Sequence, residues 1–445
     1  MNAQNDRRRA VLDAIDASAS AMASSLAEAV RIPSVNPKYP GQRFDDHIGI
    51  EADVSALMAD LYRSAGAEVE MVDAEKLRPN ACGRIRGAGG GRSLAFNGHV
   101  DVVPAVSTDK WTAAPFSGRI TDDEVIGRGA TDMKSGLIAH AYAVKALADC
   151  GVRLAGDLVL QSVVGEEVGD HLAGTTAVLD AGYTADAAIV CEPTNTHDGP
   201  PLLSAAGPGL LWFSVSLEGK TAHSGFRGLA LHPTSVGQAL GVNAVDKLWL
   251  VYRALRELED EWAYRDRHPL FAPGTFHVLP GVVKANPAGI DVPFFLADAA
   301  SIEYCAMHHP NRSNDEVRAE IQAVLDRVCA GDPWLREHPV QVEWKLDWAP
   351  YNADTSQPLM PVVLDAHCEA LGGVPTVEES QSGFLGVCDI NWFAQHGVPG
   401  LVYGPGVGFK AHAEDESVPH HQMVTAAKTY ALAAMDFCGI ADQAG

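Results

Sequence analysis

Residues 94–104 read Leu94-Ala95-Phe96-Asn97-Gly98-His99-Val100-Asp101-Val102-Val103-Pro104. The apolar run Leu94-Ala95-Phe96 has the character of a strand buried on both faces, which needs no polar alternation. A histidine and an aspartate follow directly, where an open α/β sheet places its ligand sites, beyond the carboxyl ends of its strands. The same arrangement recurs twice further along the chain. Leu158–Val164 leads into Gly165-Glu166-Glu167, and Ala187-Ala188-Ile189-Val190 leads into Cys191-Glu192-Pro193. Between them a helical pattern runs from Lys134 to Leu147, after Gly127-Arg128-Gly129-Ala130-Thr131-Asp132-Met133. The first two hundred residues therefore read as α/β, with a mixed, mostly parallel sheet flanked by helices.

Other signals extend this reading toward both ends. Leu12, Ile15, Ala19, Met22 and Leu26 recur at helical spacing and predict an amphipathic N-terminal helix. Gly87–Gly91 is expected to be a tight turn, since neither a Lys-Ser/Thr pair nor a helix follows it as in a phosphate loop. Past residue 206 the pattern becomes strand Leu211–Leu217, helix Pro233 to about Trp262, strand Ala300–Met307, helix Asp315–Cys329 and strand Val340–Trp344. That order suits a small α+β domain with helices on one face of its sheet. The last hundred residues return to α/β, with a helix over Met360–Leu371 and an apolar run ending in Tyr403-Gly404-Pro405-Gly406. The expected organisation is a catalytic domain in two segments, 1–206 and 350–445, with a smaller lid or dimerisation domain, 207–349, inserted between them.

The 445 residues carry 33 Lys+Arg against 57 Asp+Glu, a formal net charge of −24. Such an excess of acid argues against nucleic acid or an anionic membrane as partner, because both require clustered positive charge. No apolar run approaches the length of a membrane span. The eight cysteines are scattered without close pairs, which reads as reduced thiols in a cytoplasmic protein.

Each polar site has a bland reading when taken alone. A histidine after a strand is commonly structural, adjacent glutamates commonly form a solvated face, and an aspartate before a helix commonly caps it. Together they place imidazole and carboxylate groups at several strand ends and one helix start. Carboxylates gathered in that way repel one another unless positive charge is supplied. One or two divalent cations would supply it. A set of imidazoles and carboxylates without thiolate pairs suits zinc, cobalt or manganese in a hydrolytic site.

These motifs, in this order from about residue 25 to the C-terminus, resemble the di-zinc metallohydrolase family of acetylornithine deacetylase, succinyl-diaminopimelate desuccinylase and carboxypeptidase G. The resemblance implies two divalent metal ions per chain. His99 and Glu192 would hold one ion, Glu167 and His412 the other, with Asp132 between them. It implies that Asp101 orients the His99 imidazole and that Glu166 is the general base. Gly219-Lys220-Thr221-Ala222-His223-Ser224-Gly225 resembles the lid motif whose histidine reaches a partner's active site, which implies a homodimer with His223 acting in trans; a loop histidine capping a turn is the alternative. Asn286 matches a lid asparagine that meets substrate, and Gly404 an element whose backbone approaches it.

One departure bears on the substrate. Many members carry an Asp-x-Arg element in the lid, and here the corresponding stretch, Ile302–Met307, has no arginine. Arg227 or Arg312 could replace it; otherwise a less anionic amide, such as an N-formyl or N-acyl amine with a heterocyclic part, is expected. Tyr304, Met307 and Phe384 would then be candidates for an apolar pocket, against a plain core role. The expected function is hydrolysis of a small-molecule amide of an acetyl, succinyl or formyl type. A dipeptidase or carboxypeptidase on the same site is the second reading, and a non-catalytic binding relative the third.

Overall fold

The strand Leu94–His99 lies inside an eight-stranded sheet. Its order is Glu68–Val72, Asn80–Ile85, Leu158–Val163, Leu94–His99, Ala187–Val190, Gly400–Val402, Leu203–Ser204 and Gln381–Ser382. The four strands from Leu158–Val163 to Gly400–Val402 run parallel, and the two at the Glu68 edge run antiparallel. This computed structural model describes residues 3–195, 199–231, 240–286, 289–354, 356–373 and 381–441. Every residue of Leu94–His99, Leu158–Val163 and Ala187–Val190 is buried, which explains the apolar starts Leu94-Ala95-Phe96 and Leu158-Val159-Leu160 and the wholly apolar Ala187–Val190.

The helix Ser135–Asp149 buries residues on almost every side, from Leu137 and Ile138 to Val144 and Leu147. It packs against both the strand Leu94–His99 and the C-terminal helix His420–Cys438, so it needs no broad polar face. At the N-terminus the expected single helix is two, Ala3–Ala17 and Ala19–Arg31. The Ser18 hydroxyl between them donates to the Ala14 carbonyl at 2.8 Å, a back-bond that competes with regular helix geometry. Of the expected stripe, Ile15, Met22 and Leu26 are buried and Leu12 and Ala19 half-buried, with Val11 buried beside them.

The chain forms two compact units, one of residues 1–206, 353–384 and 388–445, the other of residues 207–352 and 385–387. The second unit has a four-stranded antiparallel sheet in the order His277–Ala285, Ala299–His308, Gly209–Glu218 and Gln341–Trp348. Leu211, Phe213, Val215, Ile302, Tyr304 and Ala306 alternate onto the covered face. The helices Ala244–Arg265 and Asn314–Gly331 bury Val251, Leu255, Ile321 and Leu325. A capping box starts the latter, with Ser313 and Glu316 bonded reciprocally.

Two expectations are corrected here. The strand His277–Ala285 is absent from the sequence reading because Pro280-Gly281 looks like a break. In the fold it is an edge strand with an irregularity between Pro280 and Val282, a position where proline costs no ladder bond. The helix expected from Pro233 starts at Ala244, capped by Asn243; residues 232–239 lie outside the described set. Among the described residues no helix is long and apolar enough to cross a membrane.

A buried imidazole in the first unit makes stability depend on pH. The His367 Nδ1 meets the Tyr403 hydroxyl at 2.8 Å, and burial pushes the imidazole down to about 4. An unfolded histidine titrates near ~6.5, so below that pH the unfolded chain binds a proton that the folded chain refuses. The contribution is complete above the unfolded value and is lost as pH falls toward the folded one. The melting midpoint should therefore decline over this window, by up to about 1.4 kcal/mol per pH unit from this group. His367→Gln should flatten the decline; an unchanged slope in thermal melts would refute the assignment.

Candidate metal centre

Three neighbouring parallel strands deliver their exits to one place. His99 ends its strand, Glu166 and Glu167 form a short turn after Leu158–Val163, and Glu192 follows Ala187–Val190 by two residues. Asp132 arrives from the turn that opens the helix Ser135–Asp149, and His412 from the loop after Gly408–Lys410.

The two carboxylate oxygens of Asp132 face different imidazoles. Its Oδ1 is 3.1 Å from His99 Nε2, and its Oδ2 is 3.3 Å from His412 Nε2. His99 Nε2 also lies 3.3 Å from Glu192 Oε1 and 3.7 Å from Glu166 Oε2. His412 Nε2 lies 3.2 Å from Glu167 Oε2. Ligand atoms of His99, Asp132 and Glu167 sit within 4.8 Å of one another, as do those of His99, Glu166 and Glu192. His99, Glu166 and Glu192 are buried, whereas the His412 side chain is 52% exposed.

The electrostatics follow from four carboxylates around two imidazoles. Burial pushes Glu166 well above the usual carboxylate range and Glu192 up to about 8. Burial also raises Glu167. Burial works against the charged form of His99, but Glu192 and Glu166 outweigh it and hold the imidazole well above its ordinary value. For the half-exposed His412, partial burial is likewise outweighed by Glu167 and Asp132, which lift it to about 12. Asp132 is half-buried, and against that partial burial the two imidazoles hold it below its ordinary value. The ligand-type atoms of these side chains converge on a common space. That donor chemistry fits a pair of divalent ions.

The Asp101 side chain does different work from the expected one. His99 Nδ1 donates to the Asp101 backbone carbonyl at 2.9 Å, while carboxylate Oδ1 stands 3.6 Å away. The carboxylate instead accepts from Gly165 N at 2.9 Å, Glu167 N at 3.2 Å and Asn36 Nδ2 at 2.7 Å. Residue 101 thus holds the imidazole with its main chain and the glutamate turn with its side chain. Asn36 escaped the sequence reading because it belongs to no motif there. At Gly404 a Cβ would come within 2.2 Å of the Cys191 carbonyl, so the glycine lets two strand exits pack together.

In the second unit, His223 caps the turn Ser224–Phe226, its Nδ1 accepting from Gly225 N at 3.1 Å. An accepting Nδ1 leaves the ring proton of a neutral imidazole on Nε2. Asn286 donates to Asp291 Oδ1 at 2.8 Å. Arg312 is bonded to Asp266 and Glu320, and Arg227 to Asp246. Tyr304 is core, stacked on Phe213 at 5.2 Å, whereas Met307, and Phe384 in the first unit, are half-buried.

The profile of peptidase family M20/M25/M40 matches residues 95–436. The chain is 31% identical over 398 residues to the N-formyl-4-amino-5-aminomethyl-2-methylpyrimidine deformylase of Halalkalibacterium halodurans, spanning 87% of this chain and 89% of that one. It is 29% identical over 394 residues to the succinyl-diaminopimelate desuccinylase of Paracoccus denitrificans, with 85% and 92% covered. Among solved structures, a dipeptidase from Saccharomyces cerevisiae shares the fold with a TM-score of 0.75 at 17% identity, over 97% of this chain and 98% of that one.

Proposed function

Because this chain belongs to peptidase family M20/M25/M40, we propose that the cluster around Asp132 holds two divalent metal ions and that the protein hydrolyses the amide of a small N-acylated amine. The observation that carries this reading is Asp132, with one carboxylate oxygen turned to each imidazole. His99 and Glu192 would hold one ion, His412 and Glu167 the other, and Asp132 both. Bound there, the ions would lower the pKa of a water molecule and polarise the acyl oxygen.

Glu166 is the proposed general base. Its buried carboxylate takes a proton from the attacking water, whose oxygen bonds to the acyl carbon. The carbon–nitrogen bond then breaks, and the same proton passes to the leaving nitrogen, giving a carboxylic acid and an amine. A carboxyl whose affinity for protons is raised by burial is suited to holding that proton between the two transfers. The proposed oxyanion donor is His223 of the partner subunit, through Nε2–H. Asn286 is a proposed second contact to substrate.

The favoured substrate is an N-formyl-type amide on a heteroaromatic amine. The support is the similarity to the formylpyrimidine deformylase, the lack of arginine in Ile302–Met307, and the ion pairs that already occupy Arg227 and Arg312. The assembly proposed is a cytoplasmic homodimer, with zinc as the first candidate metal and cobalt or manganese as substitutes.

A hydrolysis screen tests the substrate. Purified protein supplied with zinc, cobalt or manganese is offered N-formyl, N-acetyl and N-succinyl amines and dipeptides. The N-formyl aminomethylpyrimidine should exceed every dipeptide in kcat/KM by at least ~10-fold, a difference of about 1.4 kcal/mol. A dipeptide hydrolysed faster than all acyl amines would reverse the assignment in favour of a peptidase.

A further inference from the structure

Behind the candidate metal centre, Arg128 and Glu416 form an ion pair, Nη1 to Oε2, with both side chains buried. They stand 288 residues apart in sequence. The free oxygen of Glu416, Oε1, accepts three backbone N–H bonds from one turn: Gly129 at 3.0 Å, Thr131 at 2.9 Å and Asp132 at 3.0 Å. The Glu416 carbonyl takes a further bond from Gly127 at 2.7 Å. On the other side, Arg128 Nη2 donates to the His412 carbonyl at 3.1 Å. His412 has φ +62°, a left-handed conformation that a residue with a Cβ seldom adopts unless its surroundings impose it. The guanidinium also lies against the Trp111 ring, 5.4 Å from its centroid.

We propose that Arg128 and Glu416 are a positioning pair that sets the distance between Asp132 and His412, and thereby the affinity of the centre for its second ion. The proposal rests on the ligand assignment given above. Asp132 reaches both imidazoles only if its main chain stays where Glu416 Oε1 anchors it. His412 reaches Asp132 and Glu167 only if its carbonyl stays on Arg128. The pair joins the two loops through one rigid link. Removing both charges from water is costly and a buried pair seldom adds net stability, so its position between two ligand loops accounts for it better than folding energy does. Their hydrogen bonds to the ligand loops go to backbone atoms, so both act through the main chain.

Partners that orient metal ligands typically change affinity by about 10–100-fold when lost. The test uses the full-length protein stripped of metal and titrated with Co²⁺ against a chromophoric chelator, with the visible Co²⁺ spectrum recorded. Glu416→Gln keeps an acceptor for the three N–H groups but sets an amide N–H₂ against the guanidinium. Arg128→Lys keeps the charge and loses the fork that serves two acceptors at once. Each variant should bind one Co²⁺ about 10–100-fold more weakly than wild type, with an altered spectrum. The loss should be smaller in Arg128→Lys. His367→Gln serves as the control for general destabilisation: it should lower the melting midpoint yet leave both Co²⁺ affinities unchanged.

If wild type binds two ions and both variants match it in affinity and spectrum, the positioning role is wrong while the metal assignment stands. If wild type binds none, the assignment fails and the positioning role falls with it. Should Glu416→Gln not fold, Arg128→Lys decides by the same two readings. Weakening of equal size in His367→Gln would reduce the effect to stability and overturn the proposal.

Discussion

Glu166→Gln is expected to lower kcat by about 10²–10⁴ while leaving metal binding near that of wild type. The amide is nearly isosteric with the carboxylate, so the buried turn Glu166–Val168 should keep its shape. What disappears is the ability to take a proton and return it. KM should move little, because the loss falls on the transition state and not on ground-state binding. Steady-state kinetics alongside metal quantification provides the check. A variant that keeps wild-type turnover would remove Glu166 from the mechanism. One that loses its ions together with activity would make the residue a ligand, which its 3.7 Å distance from His99 Nε2 makes the pertinent alternative.

The second large effect is a gain of activity from two inactive proteins. If His223 acts on the partner's site, a heterodimer of one Glu166→Gln chain and one His223→Ala chain contains one complete site. That site combines the glutamate of the second chain with the histidine of the first. Random mixing of equal amounts makes about half the dimers mixed, each with one working site of two, so recovery should reach about a quarter of wild-type activity. If His223 acts within its own chain, every site lacks a component and the mixture stays inactive. Verified heterodimers without recovery would therefore exclude action in trans. The Gly225 bond to Nδ1 is compatible with the role, since it places the proton on Nε2.

Much of the fold was legible because buried parallel strands write themselves as continuous apolar runs. Leu94–Phe96, Leu158–Leu160 and Ala187–Val190 all lie in central strands. The residues just beyond them drew attention because His99, Glu166 and Glu192 break into polarity where the strand ends. His277–Ala285 was illegible since Pro280-Gly281 signals a break, and only pairing with Ala299–His308 reveals an edge strand. The N-terminal stripe concealed a division at Ser18, because an apolar period continues through a short interruption.

For the candidate site, the amino-acid sequence by itself determined which groups are available: imidazoles and carboxylates at successive strand exits, in an order that resembles one hydrolase family. It could do so because side-chain chemistry and strand period are local properties. The tertiary structure alone decided how those groups are held. Asp101 grips the glutamate turn with its carboxylate and His99 with its carbonyl. Gly404 makes room for the chain, and Arg128 meets a glutamate 288 residues away. Such contacts join residues far apart in sequence, and no local pattern encodes them. They exist only once burial has brought the loops together and left each buried charge and N–H in need of a partner.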